Sequence, residues 1–503
     1  MPDIPLIATA QRSLESRAVI SSGRTYTCRE LLDASLRVAS SLLDRQKDLE
    51  EQRIAFLVPP GFQYVAVQWG IWRAGGIAVP LCVVHPQPEL EYVVADSDAA
   101  TVLCHPAFEE KLRPVAEKTN RRFVSTTDAL EAEPGSLPEI SSARRAMILY
   151  TSGSTGKPKG VVTTHDNIEA QAMSLIEAWG WSPDDHILNV LPLHHIHGII
   201  NVLTCALRTG AVCEFLPKFD AAEVWDRIIN GNLTLFMAVP TVYVKLIAFW
   251  DAASPQERDT MSAACEQLRL MVSGSAAAPV SMIEKWRTLS GHVLLERYGM
   301  TEIGMALSNP LNGSRVPGYV GAPLPNMQVR LVDENGEVVS QGDQGEIQVR
   351  GPAVFSEYWR KPGATRESFR DGWFCTGDVS VVENGNYRIL GRKSVDIIKT
   401  GGYKVSALEI EEVLRTHPGI KDCAVVGVED PEWGERVSAA VVIADGGSLT
   451  LDSLRSWARE KIAAYKLPAR MRIFDDLPRN NMGKVTKPEI VQLFMSGDEV
   501  DRI

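Results

Sequence analysis

The sequence predicts an α/β protein of more than one domain. A large N-terminal domain, residues 1–392, combines α/β subdomains with a small antiparallel β-barrel, and a small α+β C-terminal domain, residues 393–503, follows. Three observations carry this expectation. With 503 residues the chain exceeds the size at which a single hydrophobic core stops growing. Apolar strand-like runs alternate with helical patterns up to about residue 295, which implies parallel or mixed sheets covered by helices. After Gly321 the texture changes to short alternating runs and hairpin turns, and near residue 393 strand and helix patterns resume.

Taken in order, the run from Arg53 to Val58 reads as a strand, Tyr64 to Arg73 as a helix and Ile77 to Leu81 as the next strand. Ala132 to Ser142, rich in turn formers, leads into a strand from Ala146 to Tyr150. A return strand from Gly160 to His165 makes the intervening segment a tight turn, and Asp166 and Asn167 offer N-caps for a helix beginning near Ile168. Strands from Leu235 to Val239 and from Leu268 to Val272 run into turn residues, where open α/β sheets gather ligands. Val329 to Val332 and Glu337 to Val339 flank a turn as a hairpin, with a further strand from Glu346 to Arg350. The C-terminal region reads as a helix from Ala407 to Thr416, a strand from Cys423 to Val428 and a helix from Leu451 to Ala463.

Composition excludes several classes. A net charge of -11 argues against a general nucleic-acid binder. No run of eighteen apolar residues supports a membrane span, and no secretory pattern opens the chain. Eight cysteines scattered without a CxxC pair favour reduced thiols, so the cytoplasm is the default compartment, with a mitochondrial one open if a targeting segment has been removed.

The chemistry concentrates in a few stretches. Thr151, Ser152, Gly153, Ser154, Thr155, Gly156, Lys157 and Lys159 surround a turn of glycines, hydroxyls and ammonium groups suited to a polyphosphate. It is not a Walker A loop: Thr151 stands where that motif needs glycine, and Pro158 where it needs Ser or Thr. His194, His195 and His197 crowd four positions, but no partner cysteine or HExxH spacing accompanies them, and a pocket wall is the preferred reading over a metal site. Gly274, Ser275 and Ala276 follow a strand end. In the run from Glu296 to Glu302, Tyr298 and Gly299 can lie along a base, Thr301 can donate to a phosphate and Glu302 is a hard oxygen ligand. Asp378 at a glycine turn can accept from two ribose hydroxyls, and Arg392 can add a second contact.

In this order, together with Lys399 and Gly402 and with Lys484, the motifs resemble the adenylate-forming acyl-CoA synthetase superfamily over nearly the whole chain, and the stretch from Glu296 to Gly318 is similar to malonyl-CoA and methylmalonyl-CoA synthetases. The resemblance implies ATP, Mg2+ and coenzyme A as reactants, and a reaction joining malonate or methylmalonate to coenzyme A through an acyl-adenylate. It places Lys484, Glu302, Thr301 and His197 at adenylate formation and Lys399 at thioester formation. The C-terminal domain is then mobile, with a hinge between Lys393 and Asp396.

By the same resemblance the residues from Thr151 to Lys159 named above, with Gly274, Ser275, Ala276, Glu296, Tyr298, Gly299, Met300, Asp378, Arg392 and Gly402, hold the nucleotide and coenzyme A. Glu302 and Thr155 hold the metal. His197, Ser275, Met305 and Arg315 form the acyl pocket, Arg315 pairing with the second carboxylate of the substrate. Competing expectations are a ligase for short or medium monocarboxylates, an enzyme that loads a carrier protein in trans, and a non-catalytic nucleotide-binding scaffold.

Overall fold

In the computed structural model the alternating pattern resolves into two large mixed sheets, and residues 4–151, 157–444, 447–479 and 484–496 are described, with the backbone of 501–502. The first sheet has seven strands in the order Glu357–Tyr358, Lys159–Thr164, Arg145–Thr151, Ile77–Pro80, Arg53–Leu57, Thr101–Cys104, Arg122–Ser125. Its centre is parallel, and Arg145–Thr151 and Lys159–Thr164 form an antiparallel hairpin in which Thr151 faces Lys159. The second sheet has nine strands, with Leu295–Met300 and Leu270–Ser273 beside Leu235–Ala238 and His186–Asn189. Leu235–Ala238, Leu270–Ser273 and His186–Asn189 are buried at every residue, as strands covered by helices on both faces must be.

One short segment ties the two sheets together. Tyr358 pairs with Val161 at the edge of the first sheet, while its hydroxyl donates to Glu302 Oε1 (2.9 Å) and the N–H of Phe355 donates to Glu302 O (2.7 Å) in the second. The small antiparallel element after residue 321 is a five-stranded sheet built on Gln328–Val332, Gly345–Arg350 and Trp373–Glu383. The C-terminal region forms a separate six-stranded sheet with its own core, in which Ile398, Ile410, Leu414, Val425, Val441 and Leu454 pack together.

Several boundaries shift for local reasons. The helix expected near Ile168 is His165–Trp179, because Thr164 and Asn167 close a reciprocal capping box three residues earlier. The strand expected from Leu268 starts at Leu270, since a 3-10 turn, Cys265–Gln267, occupies the preceding residues. The expected return strand from Glu337 reduces to an isolated bridge between Val332 and Val338, because the Asp333 carboxylate takes the N–H groups of Asn335 and Glu337. The helix expected from Leu451 to Ala463 stops at Ala458.

Candidate active site

The strand Leu295–Met300 turns back at Thr301 and Glu302 into Gly304–Ser308, and this hairpin organises the site. Gly299 permits it: a Cβ there would lie 2.2 Å from Gly304 O. The Tyr298 hydroxyl donates to Asp378 Oδ2 at 2.6 Å, and burial with that carboxylate drives the phenol well above its ordinary pKa. Arg392 Nε donates to Asp378 Oδ1 at 2.9 Å and its Nη2 to Thr376 O at 2.8 Å. Asp378 lies within a long strand, Trp373–Glu383, not in an open glycine turn; Gly377, at φ +74°, bulges the strand and turns the carboxylate toward Tyr298. These three residues form a ledge whose polar groups already satisfy one another.

Glu302 is 5% exposed, and burial raises its pKa above the ordinary carboxylate range. The Tyr358 ring that contacts this carboxylate also carries Lys159 Nζ over its face, 5.1 Å from the centroid. Lys157 Nζ sits 5.6 Å from the Tyr92 ring centroid. The Tyr92 hydroxyl donates to Pro158 O (2.7 Å), and that of Tyr150 to Asp96 Oδ2 (2.8 Å). The helix Gln87–Asp96 thus supports the hairpin from which both lysines emerge. Ser152, Gly153, Ser154, Thr155 and Gly156 lie outside the described residues. The chemistry of Glu302 fits a hard divalent cation, which would offset the charge of a carboxylate held out of water.

The third part of the site is a pocket wall. His197 opens a π-helix, His197–Thr204. Asn189 positions it from the end of its strand, donating from Nδ2 to Gly198 O (3.2 Å) and accepting from the N–H of Leu191 (3.0 Å). His197 Nδ1 lies 3.3 Å from Ser275 Oγ, and Arg297 Nη2 donates to the same hydroxyl at 3.3 Å. Ser275 has φ +72°, a left-handed conformation that costs a non-glycine residue about 1 kcal/mol or more. Gly274 makes room for the guanidinium, since a Cβ there would meet Arg297 Cζ at 2.4 Å. Met305 is buried and packs on Gly299.

Arg297 is 5% exposed, and burial lowers its pKa to about 9. Its Nε, His197 Nε2 and Ser273 Oγ are buried without a hydrogen-bond partner among the described residues. Burial, with the Arg297 charge, also keeps His197 well below the ordinary histidine pKa. A buried cation next to a neutral imidazole, with a donor that no described residue uses, has the chemistry to receive an anion.

Models of two families match the chain: the AMP-binding enzyme family over residues 6–359, and the AMP-binding enzyme C-terminal domain over residues 409–484. The chain belongs to the AMP-binding enzyme family. Its relatives include the mitochondrial malonate–CoA ligase of Mus musculus, 46% identical over 98% of this chain and 91% of that protein. The malonate–CoA ligase of Arabidopsis thaliana is 40% identical over 96% and 86%. Among solved structures, ATP-bound MatB from Rhodopseudomonas palustris superposes with a TM-score of 0.90 at 33% identity, covering 98% of this chain and 99% of that one.

Within this AMP-binding enzyme, one expectation about the acyl pocket changes. Arg315 is not brought into the cluster: its Nε, Nη1 and Nη2 donate to the carbonyls of Pro310 (3.0 Å), Val293 (2.7 Å) and Leu311 (2.7 Å), so the guanidinium clips its loop to the segment that leads into the strand Leu295–Met300. Arg297 lies beside Ser275 and His197 instead, buried together with Leu295 and Glu296 in the first half of its strand.

Glu296 keeps its carboxyl inside, accepting from the N–H of Gly318 at 2.8 Å, and burial raises its pKa to about 8. Ala276 is exposed just beyond Ser275, and Gly402 sits at φ +83° in the turn between Ile397–Thr400 and Tyr403–Ser406. Lys399 and Lys484 are exposed in the C-terminal region. The segment between the two family matches is cross-tied: Asp396 Oδ2 accepts from the N–H of Arg392 (2.9 Å), and Lys487 Nζ reaches Asp396 Oδ1 (2.5 Å) and Glu411 Oε1 (2.7 Å).

Proposed function

We propose that this protein joins malonate, and methylmalonate, to coenzyme A at the expense of ATP, giving the acyl-CoA, AMP and pyrophosphate through an acyl-adenylate. The observation that carries the reading is the buried, acid-free guanidinium of Arg297 beside His197 and Ser275. A dicarboxylate needs one carboxylate held and the other left to react, and this wall supplies a fixed receptor for the first. The malonate–CoA ligases among the relatives point to the same substrate.

In this reading Tyr298, Asp378 and Arg392 orient the nucleoside, the ribose hydroxyls replacing the Tyr298 hydroxyl on Asp378. Lys157 and Lys159, with the signature turn, hold the β- and γ-phosphates, which leave as pyrophosphate. Glu302 and Thr155 would hold a magnesium ion, which supplies neutralising charge to the phosphates. The free carboxylate of malonate attacks the α-phosphate near Thr301, where Lys484 stabilises the charge that develops. Residues 393–503 then rotate about the segment from Lys393 to Asp396, withdrawing Lys484 and presenting Lys399 and Gly402, and the coenzyme A thiol displaces AMP from the adenylate.

The half-reactions separate these roles. Lys484→Ala abolishes adenylate formation, whereas Lys399→Ala mainly slows thioester formation from preformed adenylate. Equal losses in both half-reactions in both variants contradict the division. Mass spectrometry of the coenzyme A product identifies the acyl group directly.

A further inference from the structure

A second cluster of ligating side chains lies apart from the residues just described. Cys82 and His85 occupy the loop after the strand Ile77–Pro80 of the first sheet, and His194 the loop after His186–Asn189 of the second. Packing of the two sheets brings them together: one ligand atom from each of the three lies within 4.8 Å of the other two. The imidazoles of His85 and His194 meet edge to face at 5.8 Å, and His194 rests on His195 at 4.0 Å. Cys82 is buried, while both histidines are partly exposed. Behind His85, Glu89 Oε2 lies 3.1 Å from Nδ1. A carboxylate in that position fixes the tautomer and orientation of a ligating imidazole.

We propose that Cys82, His85 and His194 form a binding site for zinc, with Glu89 as the residue that orients His85. One thiolate and two imidazoles suit a borderline-soft cation and not magnesium, which selects oxygen, and a water completes four-coordination. Tetrahedral zinc draws its ligand atoms to roughly 3.3–3.6 Å of one another. Turning the two partly exposed rings inward closes the remaining distance. On binding, the Cys82 thiol loses its proton to solvent as the sulfur–zinc bond forms. Burial raises the pKa of the Cys82 thiol, and the charge of Lys111, whose Nζ donates to Val83 O (3.0 Å), offsets part of that rise.

The location gives the site a consequence. The helix Gln87–Asp96, which starts next to His85, carries Tyr92 and Asp96, the supports of the phosphate hairpin. His194 precedes the pocket wall residue His197 by less than one helical turn. Zinc here staples the support of the phosphate loop to the acyl pocket wall across the boundary between the sheets, and raises the melting temperature of the full-length protein.

The test uses full-length protein stripped of metal, without nucleotide, and titrated with zinc chloride against a chromophoric chelator. The expected result is one zinc per chain, bound about 100-fold or more weakly in Cys82→Ser and about 10- to 100-fold more weakly in Glu89→Gln. Cobalt chloride gives a thiolate-to-cobalt charge-transfer band that Cys82→Ser removes. Glu89 is exposed, so Glu89→Gln reports on the site even if Cys82→Ser misfolds. Absence of stoichiometric zinc, or zinc affinity unchanged by Glu89→Gln, overturns the proposal.

Discussion

The nucleotide ledge and the acyl pocket begin at neighbouring residues of one strand, Tyr298 and Arg297, yet they are electrostatic opposites. On the ledge every charge has its partner: Arg392 holds Asp378, and Asp378 accepts from Tyr298. A nucleoside bound there exchanges one set of hydrogen bonds for another, so the ledge gives orientation more than affinity. In the pocket, among the described residues, Arg297 keeps a buried charge with no acid beside it, and His197 and Ser273 add polar atoms without a partner. An anion bound there gains an ion pair that nothing in the free protein replaces. Pre-satisfied sites orient a ligand, whereas unsatisfied ones select it.

Four substitutions sharpen or break this contrast. Arg297→Met has the largest effect: kcat/KM for malonate falls roughly 10²- to 10⁴-fold, the cost of removing one partner of a buried charge pair, while KM for ATP stays within about threefold. Its melting temperature holds or rises, because an unpaired buried cation is gone. A fall in stability with malonate kinetics intact returns Arg297 to a structural role. Asp378→Asn raises KM for ATP by about 10- to 100-fold through loss of charge-assisted hydrogen bonds, and leaves KM for malonate unchanged.

Glu296→Gln probes the ledge side of the strand. The folded protein holds the Glu296 proton to about pH 8, well above the ordinary carboxylate value of 4.5. The folded state therefore binds more protons than the unfolded state between these pH values, and stability falls as pH rises through that window. Melting curves at pH 5.5 and 8.5 show the variant gaining several degrees over the parent at the higher pH only; a pH-independent difference contradicts the assignment. Arg315→Ala has the smallest effect, a melting temperature lower by a few degrees from the loss of three carbonyl contacts at about 1 kcal/mol each, with KM for malonate unmoved. A large rise in that KM restores Arg315 to the pocket.

Much of this was legible from the chain. The two strands that flank the signature residues emerge with Thr151 opposite Lys159, whereas the hydrogen bond from Tyr298 to Asp378 joins two motifs that were read separately. Local patterning carries such features because each motif lies on one element. The acyl pocket was harder, since it depends on which side of a strand faces inward and on where donors end. Arg315 has the right chemistry, but the loop turns each of its three guanidinium nitrogens onto a carbonyl, a tertiary fact without a local signature. Arg297 was hidden inside a motif whose other residues had evident roles. Likewise, the cysteine that the histidine-rich run lacked in sequence is Cys82, delivered from the other sheet. The hinge residues show the same limit, for the ties from Asp396 to Lys487 span two distant segments.

The most direct test of the central claim, that Arg297 makes the pocket a receptor for a second carboxylate, is pyrophosphate release from ATP by the unmodified protein, with and without coenzyme A, over malonate, methylmalonate, acetate and octanoate. The account predicts that malonate and methylmalonate exceed the two monocarboxylates by about 100-fold in kcat/KM, the worth of one buried charge-assisted contact. Acetate or octanoate equal to or faster than malonate contradicts it.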